Sequence, residues 1–204
     1  MANTQQQFGF QPYGSVSGHT PNFGLRRVQI AYNYTTALFR GDPVNINASG
    51  NLVIAPSATG IVGGIFWGCE YTTNAPLTAL PVKSRYWPGV ALSSSSLVVT
   101  AYIYTEPDML FLAAELGSGA ALSALDVGSN IGWNAGAGGN TATGISSYVL
   151  DEGSLAVTAT YPFKIMDLYS TYAPPGVNGA QAGVYNWAIV KLNSSERAAG
   201  TTGI

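Results

Sequence analysis

Charged residues are scarce in this sequence. Of its 204 residues only 9% are charged, whereas 47% are hydrophobic and the mean hydropathy is +0.18. An average globular domain carries about 25% charged residues. A chain with so few charges must cover its surface with uncharged polar residues and glycine, or bury much of that surface against other subunits. We favour the second arrangement and expect a homo-oligomer.

Cysteine and histidine occur once each, as Cys69 and His19. A single cysteine excludes an internal disulfide and is compatible with the cytosol. The two residues lie far apart in the sequence, so no Cys-His or Ser-His-Asp arrangement and no metal-ligand spacing is recognisable. Cys69 lies in an apolar run and is interpreted as a core residue, and His19 as a loop residue.

Long apolar runs and basic clusters are also missing. The most apolar stretch, residues 61–69, is much shorter than the ~20 residues of a membrane-spanning helix. The net charge is −2 and the pI is about 5.2, with Arg26 and Arg27 as the only adjacent cations. This pattern excludes a nucleic-acid binder. The N-terminus lacks the features of a signal peptide, which predicts synthesis in the cytoplasm.

The acidic residues form no convincing catalytic or metal-binding pattern. Two close pairs, Glu106 with Asp108 and Asp151 with Glu152, lie in turn-like sequence, where carboxylates normally face water. A calcium site remains an alternative, since three oxygen ligands share one glycine-rich loop that lacks an EF-hand pattern: Asp126, Asn130 and Asn134. We therefore predict no enzyme activity, no cofactor and no metal.

The chain divides by composition into three parts. Residues 1–24 are polar, rich in Gly and aromatics, and without periodicity, which predicts an extended arm that docks on another surface. Residues 25–193 are predicted to form one β-rich domain. Residues 194–204 are predicted to be a mobile tail.

Short alternating or β-branched segments separated by turn residues predict an all-β fold. We expect a β-sandwich or barrel, jelly-roll-like, with long glycine-rich loops, and one helical turn within residues 112–125. The 126–144 stretch is predicted to be a loop. The predicted strands fall within residues 25–40, 44–48, 52–55, 59–71, 97–104, 146–150, 156–165 and 187–191, and residues 109–112 are predicted to lead into a short apolar segment.

Residues 59–71, TGIVGGIFWGCEY, are predicted to be a buried strand. Each glycine would weaken a helix by about 1 kcal/mol. In a strand, Gly63, Gly64 and Gly68 indicate a bulge or a close approach of another backbone.

The order of several short motifs resembles that of the capsid decoration, stabilising or cement proteins of tailed phages. FGFQP (8–12), ALFRGDPV (37–44), GIVGGIFWGCEY (60–71) and YIYTEPDMLFL (102–112) are followed by LDVGSNIGW (125–133), YPFKIMDLY (161–169) and WAIVKLN (187–193). The sequence departs from the family pattern at Glu106, where that pattern has Asp, and at residues 65–67, where it has Gly-Val-Phe.

This resemblance implies a β-rich protein without enzyme activity that binds the outside of a phage head. Its expected partner is the major capsid protein, its expected location the capsid exterior of the virion, and its expected oligomer a trimer. The residues expected to contact the capsid or a neighbouring subunit are Phe8, Phe10, Pro12, Tyr13 and Trp133.

The sequence leaves two alternatives open. One is a carbohydrate-binding β-sandwich, in which Trp133 and the pair Tyr169 and Tyr172 stack on sugar rings. The other is a tail or fibre component of the virion.

Overall fold

The computed structural model describes residues 5–18, 24–72, 81–90, 98–136, 138–169 and 183–193. Their regular structure is β, apart from one 3-10 turn at Ala124–Asp126. The predicted all-β class is confirmed. The strands are β1 (Gln11–Ser15), β2 (Leu25–Ile30), β3 (Leu38–Phe39), β4 (Pro43–Ile46), β5 (Leu52–Ile54), β6 (Gly64–Thr72), β7 (Pro81–Ser84), β8 (Tyr86–Trp87), β9 (Val99–Tyr104), β10 (Met109–Ala114), β11 (Asn130–Asn134), β12 (Val149–Ala156), β13 (Phe163–Leu168) and β14 (Trp187–Leu192).

The strands form two large antiparallel sheets. The first sheet has the order β1-β10-β14-β13-β11-β12. The second has the order β2-β9-β6-β4-β5, with β7 paired along part of β6. Strands β3 and β8 form a small pair of their own.

The two large sheets pack as a sandwich. Side chains of the first sheet share a core with Ile65 and Tyr104 of the second sheet. The opposite face of the second sheet carries Phe66 and Ile103, which pack in a separate core with Trp87 of the small pair. Neighbouring residues of one strand thus enter different cores, because successive side chains of a strand point to opposite faces.

The second sheet curls without closing. In the described residues, its outer strands β2 and β5 meet at one isolated parallel bridge, between Gln29 and Asn51, and not along a continuous ladder. Of the two predicted architectures, the sandwich is therefore correct.

The prediction of a buried, bulged strand within residues 59–71 is confirmed by β6. Its register against β9 shifts between Phe66 and Gly68, which is a bulge. A Cβ on Gly68 would lie 2.7 Å from the carbonyl oxygen of Ser84, and a Cβ on Gly64 would collide with the carbonyl oxygen of Tyr104. Both glycines are thus required by close backbone approach.

The prediction of a continuous loop over residues 126–144 is wrong. Asn130–Asn134 forms β11, and its Ile131 and Trp133 enter the core between the sheets. Gly132 separates them because a Cβ there would lie 2.5 Å from the carbonyl oxygen of Ala58. In the sequence, a glycine required by such a close contact looks the same as a loop glycine.

The predicted N-terminal arm is not separate from the domain where it includes β1. That strand pairs with β10 at the edge of the first sheet. Just before it, Phe10 is fully buried and stacks on Phe163 with ring centres 4.2 Å apart. Residues 1–4 and 19–23, with His19, and the predicted tail at 194–204 lie outside the described residues.

The N-terminal segment crosses the Gly-Asp-Pro turn at a tight junction. The amide of Phe10 donates to the carbonyl oxygen of Gly41 (3.0 Å), whose own amide donates to the carbonyl oxygen of Phe66 (2.8 Å). The buried carboxylate of Asp42 accepts a hydrogen bond from the amide of Phe39 (2.7 Å). Burial raises the pKa of Asp42 to about 6, against the opposing effect of that hydrogen bond.

Candidate interaction surfaces

An aromatic cluster lies on the outer face of the first sheet, and we define it as Phe8, Tyr13, Tyr169 and Trp187. The rings of Phe8 and Trp187 meet edge to face at 5.2 Å, and Trp187 lies 5.4 Å from Tyr169. Tyr169 in turn meets Tyr13 edge to face at 6.0 Å. The four rings therefore form one continuous chain of contacts.

This aromatic cluster is accessible at its surface. Tyr13 is 48% exposed, and the other three side chains are half-buried. Leu110 and Leu112 of β10, which lies between β1 and β14, are also half-buried. Partly exposed aromatic side chains beside aliphatic ones are typical of protein–protein contact surfaces.

A second surface feature is a cationic cleft of about 340 Å³. Its lining includes three basic side chains, Arg40, Lys83 and Arg85, together with Trp67 and Tyr102. The cleft thus brings together residues from the β3–β4 turn, β6, β9 and the end of β7.

Arg40 is held rigidly in this cationic cleft. Its guanidinium carbon lies 3.7 Å from the centre of the Trp67 ring, and its Nε donates to the carbonyl oxygen of Trp67 (2.9 Å). The ring of Tyr104 also meets that indole edge to face, with ring centres 5.2 Å apart. Burial, and then the charge of Arg85, lower the pKa of Arg40 from its ordinary value.

The five predicted contact residues fall into two groups. Phe8 and Tyr13 belong to the aromatic cluster, and Pro12 is a half-buried residue of β1. Phe10 and Trp133 are 0% and 4% exposed and belong to the core. The prediction that these last two contact a partner is therefore wrong, because their side chains are used inside the domain.

The same burial removes Trp133 from the sugar-binding alternative. Its ring meets Phe163 edge to face at 6.2 Å inside the core. Tyr169 belongs to the aromatic cluster, and Tyr172 lies outside the described residues.

The candidate chemical residues of the sequence do not converge. Cys69 is buried on β6, and burial raises its pKa to about 12, so it remains a thiol at neutral pH. Among the described residues, no group of three or more His, Cys, Asp or Glu side chains could hold a metal ion.

The candidate calcium ligands are engaged separately. Asp126 caps the 3-10 turn by accepting hydrogen bonds from the amide and hydroxyl of Ser123. The side chain of Asn130 donates to the carbonyl oxygen of Thr158, and that of Asn134 accepts from the amide of Gly136.

The prediction that the acidic pairs face water holds for exposed Asp108 but is wrong for Glu152. Glu152 is buried on β12, and its Oε1 accepts hydrogen bonds from the hydroxyl of Ser118 (3.1 Å) and the amide of Gly119 (2.7 Å). Glu115 is also fully buried and accepts from the amides of Leu122 and Asn186. Both carboxylates hold loop backbone in place.

The cationic cleft is not predictable from the sequence, because its three cations come from segments that meet only in the folded sheet. A cation beside a turn, as in Arg40-Gly41-Asp42-Pro43, is the one local signal for this cleft.

Among the described residues, no helix has the length and apolarity needed to cross a membrane. Comparison of the chain with protein-family models, with curated proteins and with solved structures found no match.

Proposed function

We propose that this chain is a structural virion protein that binds the outer surface of a phage head and bridges major capsid proteins. The observation that carries the proposal is the aromatic cluster, a chain of four contacting rings that reaches the surface at Tyr13. Its partner is a protein surface with apolar pockets for these rings. Burial of a large apolar side chain contributes about 1.5–3 kcal/mol, so a few rings give a weak contact for one subunit.

Weak contacts suffice when they are repeated over a shell. Contacts to two neighbouring capsid proteins act together, since the second forms at a high effective concentration. Contacts that exist only in the assembled shell stabilise it by mass action. The low charge of the chain fits a subunit whose surface is largely covered in a lattice.

The motifs that carry the resemblance to cement proteins have structural roles that fit this proposal. The Phe-Gly-Phe segment supplies Phe8 to the aromatic cluster and Phe10 to the core. The Gly-Asp-Pro-Val segment forms the turn that the N-terminal segment crosses. Core and contact surface are therefore joined through Gly9, and the domain presents Phe8 and Tyr13 in a fixed position.

The proposal is tested by the heat resistance of undecorated, expanded heads of the phage that encodes this chain. Added wild-type protein is expected to raise the temperature at which the heads break open, and Tyr13→Ala to raise it less. Tyr32→Ala is the matched control, since Tyr32 is 39% exposed on a loop of the other sheet. An unchanged opening temperature with saturating wild-type protein would contradict the proposal.

A further inference from the structure

The positive charge of this acidic chain is concentrated at the cationic cleft. The sequence contains eight Lys and Arg residues, of which Arg197 alone lies outside the described part. Three of the remaining seven line the cationic cleft. A fourth, Arg27, lies beside it, with its guanidinium carbon 5.9 Å from the centre of the Tyr102 ring.

The charge of the cationic cleft is poorly compensated by the protein. Within the described residues, Arg40, Lys83 and Arg85 form no ion pair. Glu70 lies opposite Lys83 in the β6–β7 register, and it accepts a hydrogen bond from the hydroxyl of Tyr102 (3.0 Å). Glu70 therefore lies beside Lys83 and Tyr102, whereas Arg40 and Arg85 lie close enough together that the charge of Arg85 lowers the pKa of Arg40.

The cationic cleft is also preorganised for ligand binding. Stacking on Trp67 and the hydrogen bond to its carbonyl oxygen fix the plane of the Arg40 guanidinium, so little side-chain entropy is lost when a ligand binds. The remaining N–H groups of Arg40 form a fork that matches the two oxygens of a carboxylate. The side chains of Leu25 and Tyr102 also line the cleft and form a wall against which a short aliphatic side-chain stem can pack.

We propose that the cationic cleft binds carboxylate side chains of an acidic polypeptide segment. Arg40 receives the carboxylate on its fixed guanidinium, while Arg85 and Lys83 supply further donors from the rim. The inference does not depend on the proposed function, because binding of an acidic peptide is measured on the protein alone.

A nucleic acid fits this site less well. A polyanion needs a basic track along which successive phosphates are neutralised. The cations instead surround one cleft, on a chain of net charge −2. A single carboxylate with a short aliphatic stem fits both the charge and the walls of that cleft.

The test is isothermal titration calorimetry of the full chain with acetylated, amidated hexaglutamate at low ionic strength, with hexaglutamine as the uncharged control. Wild type is expected to bind hexaglutamate and not hexaglutamine. Arg85→Gln and Arg40→Gln are each expected to weaken binding at least about tenfold, the effect of losing a hydrogen bond to a charged group. Arg85 is exposed, so its variant retains the fold, which thermal unfolding verifies.

Lys164→Gln is the matched charge control, because Lys164 lies on β13 of the first sheet, outside the cationic cleft. It is expected to change affinity less than about twofold. Equal weakening by Lys164→Gln and Arg85→Gln would show general charge attraction and overturn the proposal. Tighter binding of inorganic phosphate or of oligothymidylate than of hexaglutamate would overturn the choice of ligand.

Discussion

Gly9 and Gly41 cross so closely that neither position has room for a side chain. A Cβ on Gly9 would lie 3.0 Å from the Cα of Gly41, and a Cβ on Gly41 would lie 2.9 Å from the amide nitrogen of Phe10. Both residues also have positive φ, +66° and +96°. At this crossing the N-terminal segment enters the sandwich.

Gly41→Ala is expected to destabilise the fold by more than about 2 kcal/mol, because it adds both a collision and an unfavourable φ. The measurement is the free energy of unfolding in urea. Gly50→Ala is the matched control: its φ is +77°, and no atom lies within 4 Å of the added Cβ. It reports the cost of positive φ alone, about 1 kcal/mol. Equal losses in the two variants would show that the crossing is not tight.

Asp42 makes stability depend on pH in the direction opposite to a salt-bridged aspartate. Its folded-state pKa of about 6 exceeds the ordinary value of 3.8, so the folded state holds the proton more tightly than the unfolded state. The free energy of unfolding therefore falls as pH rises from about 4 to about 6, by at most roughly 3 kcal/mol from this group. Above that window its contribution is constant.

Asp42→Asn is expected to reduce this fall, because asparagine carries no charge and its side-chain oxygen still accepts from the amide of Phe39. Urea unfolding at pH 4, 5, 6 and 7 measures the slope. A fall of the same sign remains from Glu115, whose pKa burial also raises. A slope in Asp42→Asn as steep as in wild type would show that Asp42 is not the group that titrates.

Substitutions of Phe10 and Phe8 are expected to differ in their effect on stability, because Phe10 is a core residue and Phe8 belongs to the surface aromatic cluster. Phe10→Ala removes a fully buried ring and is expected to cost about 3–5 kcal/mol. Phe8→Ala removes a half-buried ring whose edge-to-face contact with Trp187 is worth about 1 kcal/mol. Thermal unfolding measures both changes, and a larger loss for Phe8→Ala would contradict the placement of the two rings.

We propose that the isolated protein is a trimer, as the resemblance to cement proteins implies, and the low charge of the chain favours contacts between copies. Light scattering after size-exclusion chromatography is expected to give a mass near three times 21.2 kDa. A mass of 21.2 kDa at all concentrations would exclude a stable oligomer in the absence of a shell.

Local sequence signals predicted much of the fold. The hairpin of β4 and β5 was visible in its alternation and in its Ser-Gly-Asn turn, because both signals lie within a few residues. The bulged strand β6 was visible in its glycines and its β-branched and aromatic residues. Features of this kind depend on local geometry, which neighbouring residues specify.

The errors concern residues whose role is set by distant parts of the chain. Gly132 of β11 resembles a loop glycine in the sequence, whereas in the structure it makes room for the backbone of Ala58. Likewise, the N-terminal segment lacks strand periodicity because a register shift between Pro12 and Gly14 interrupts β1. A deletion of residues 1–20 would remove β1 and Phe10, so it is expected to destabilise the domain and not only to impair shell binding.

The proposed attachment to a phage head is tested most directly by co-sedimentation of the purified chain with undecorated, expanded heads of a tailed phage whose genome encodes it, quantified per major capsid protein. We expect saturable binding at a fixed ratio, weakened by Tyr13→Ala and not by Tyr32→Ala. No binding by folded wild-type protein would contradict attachment to the head, and would favour a tail or fibre component.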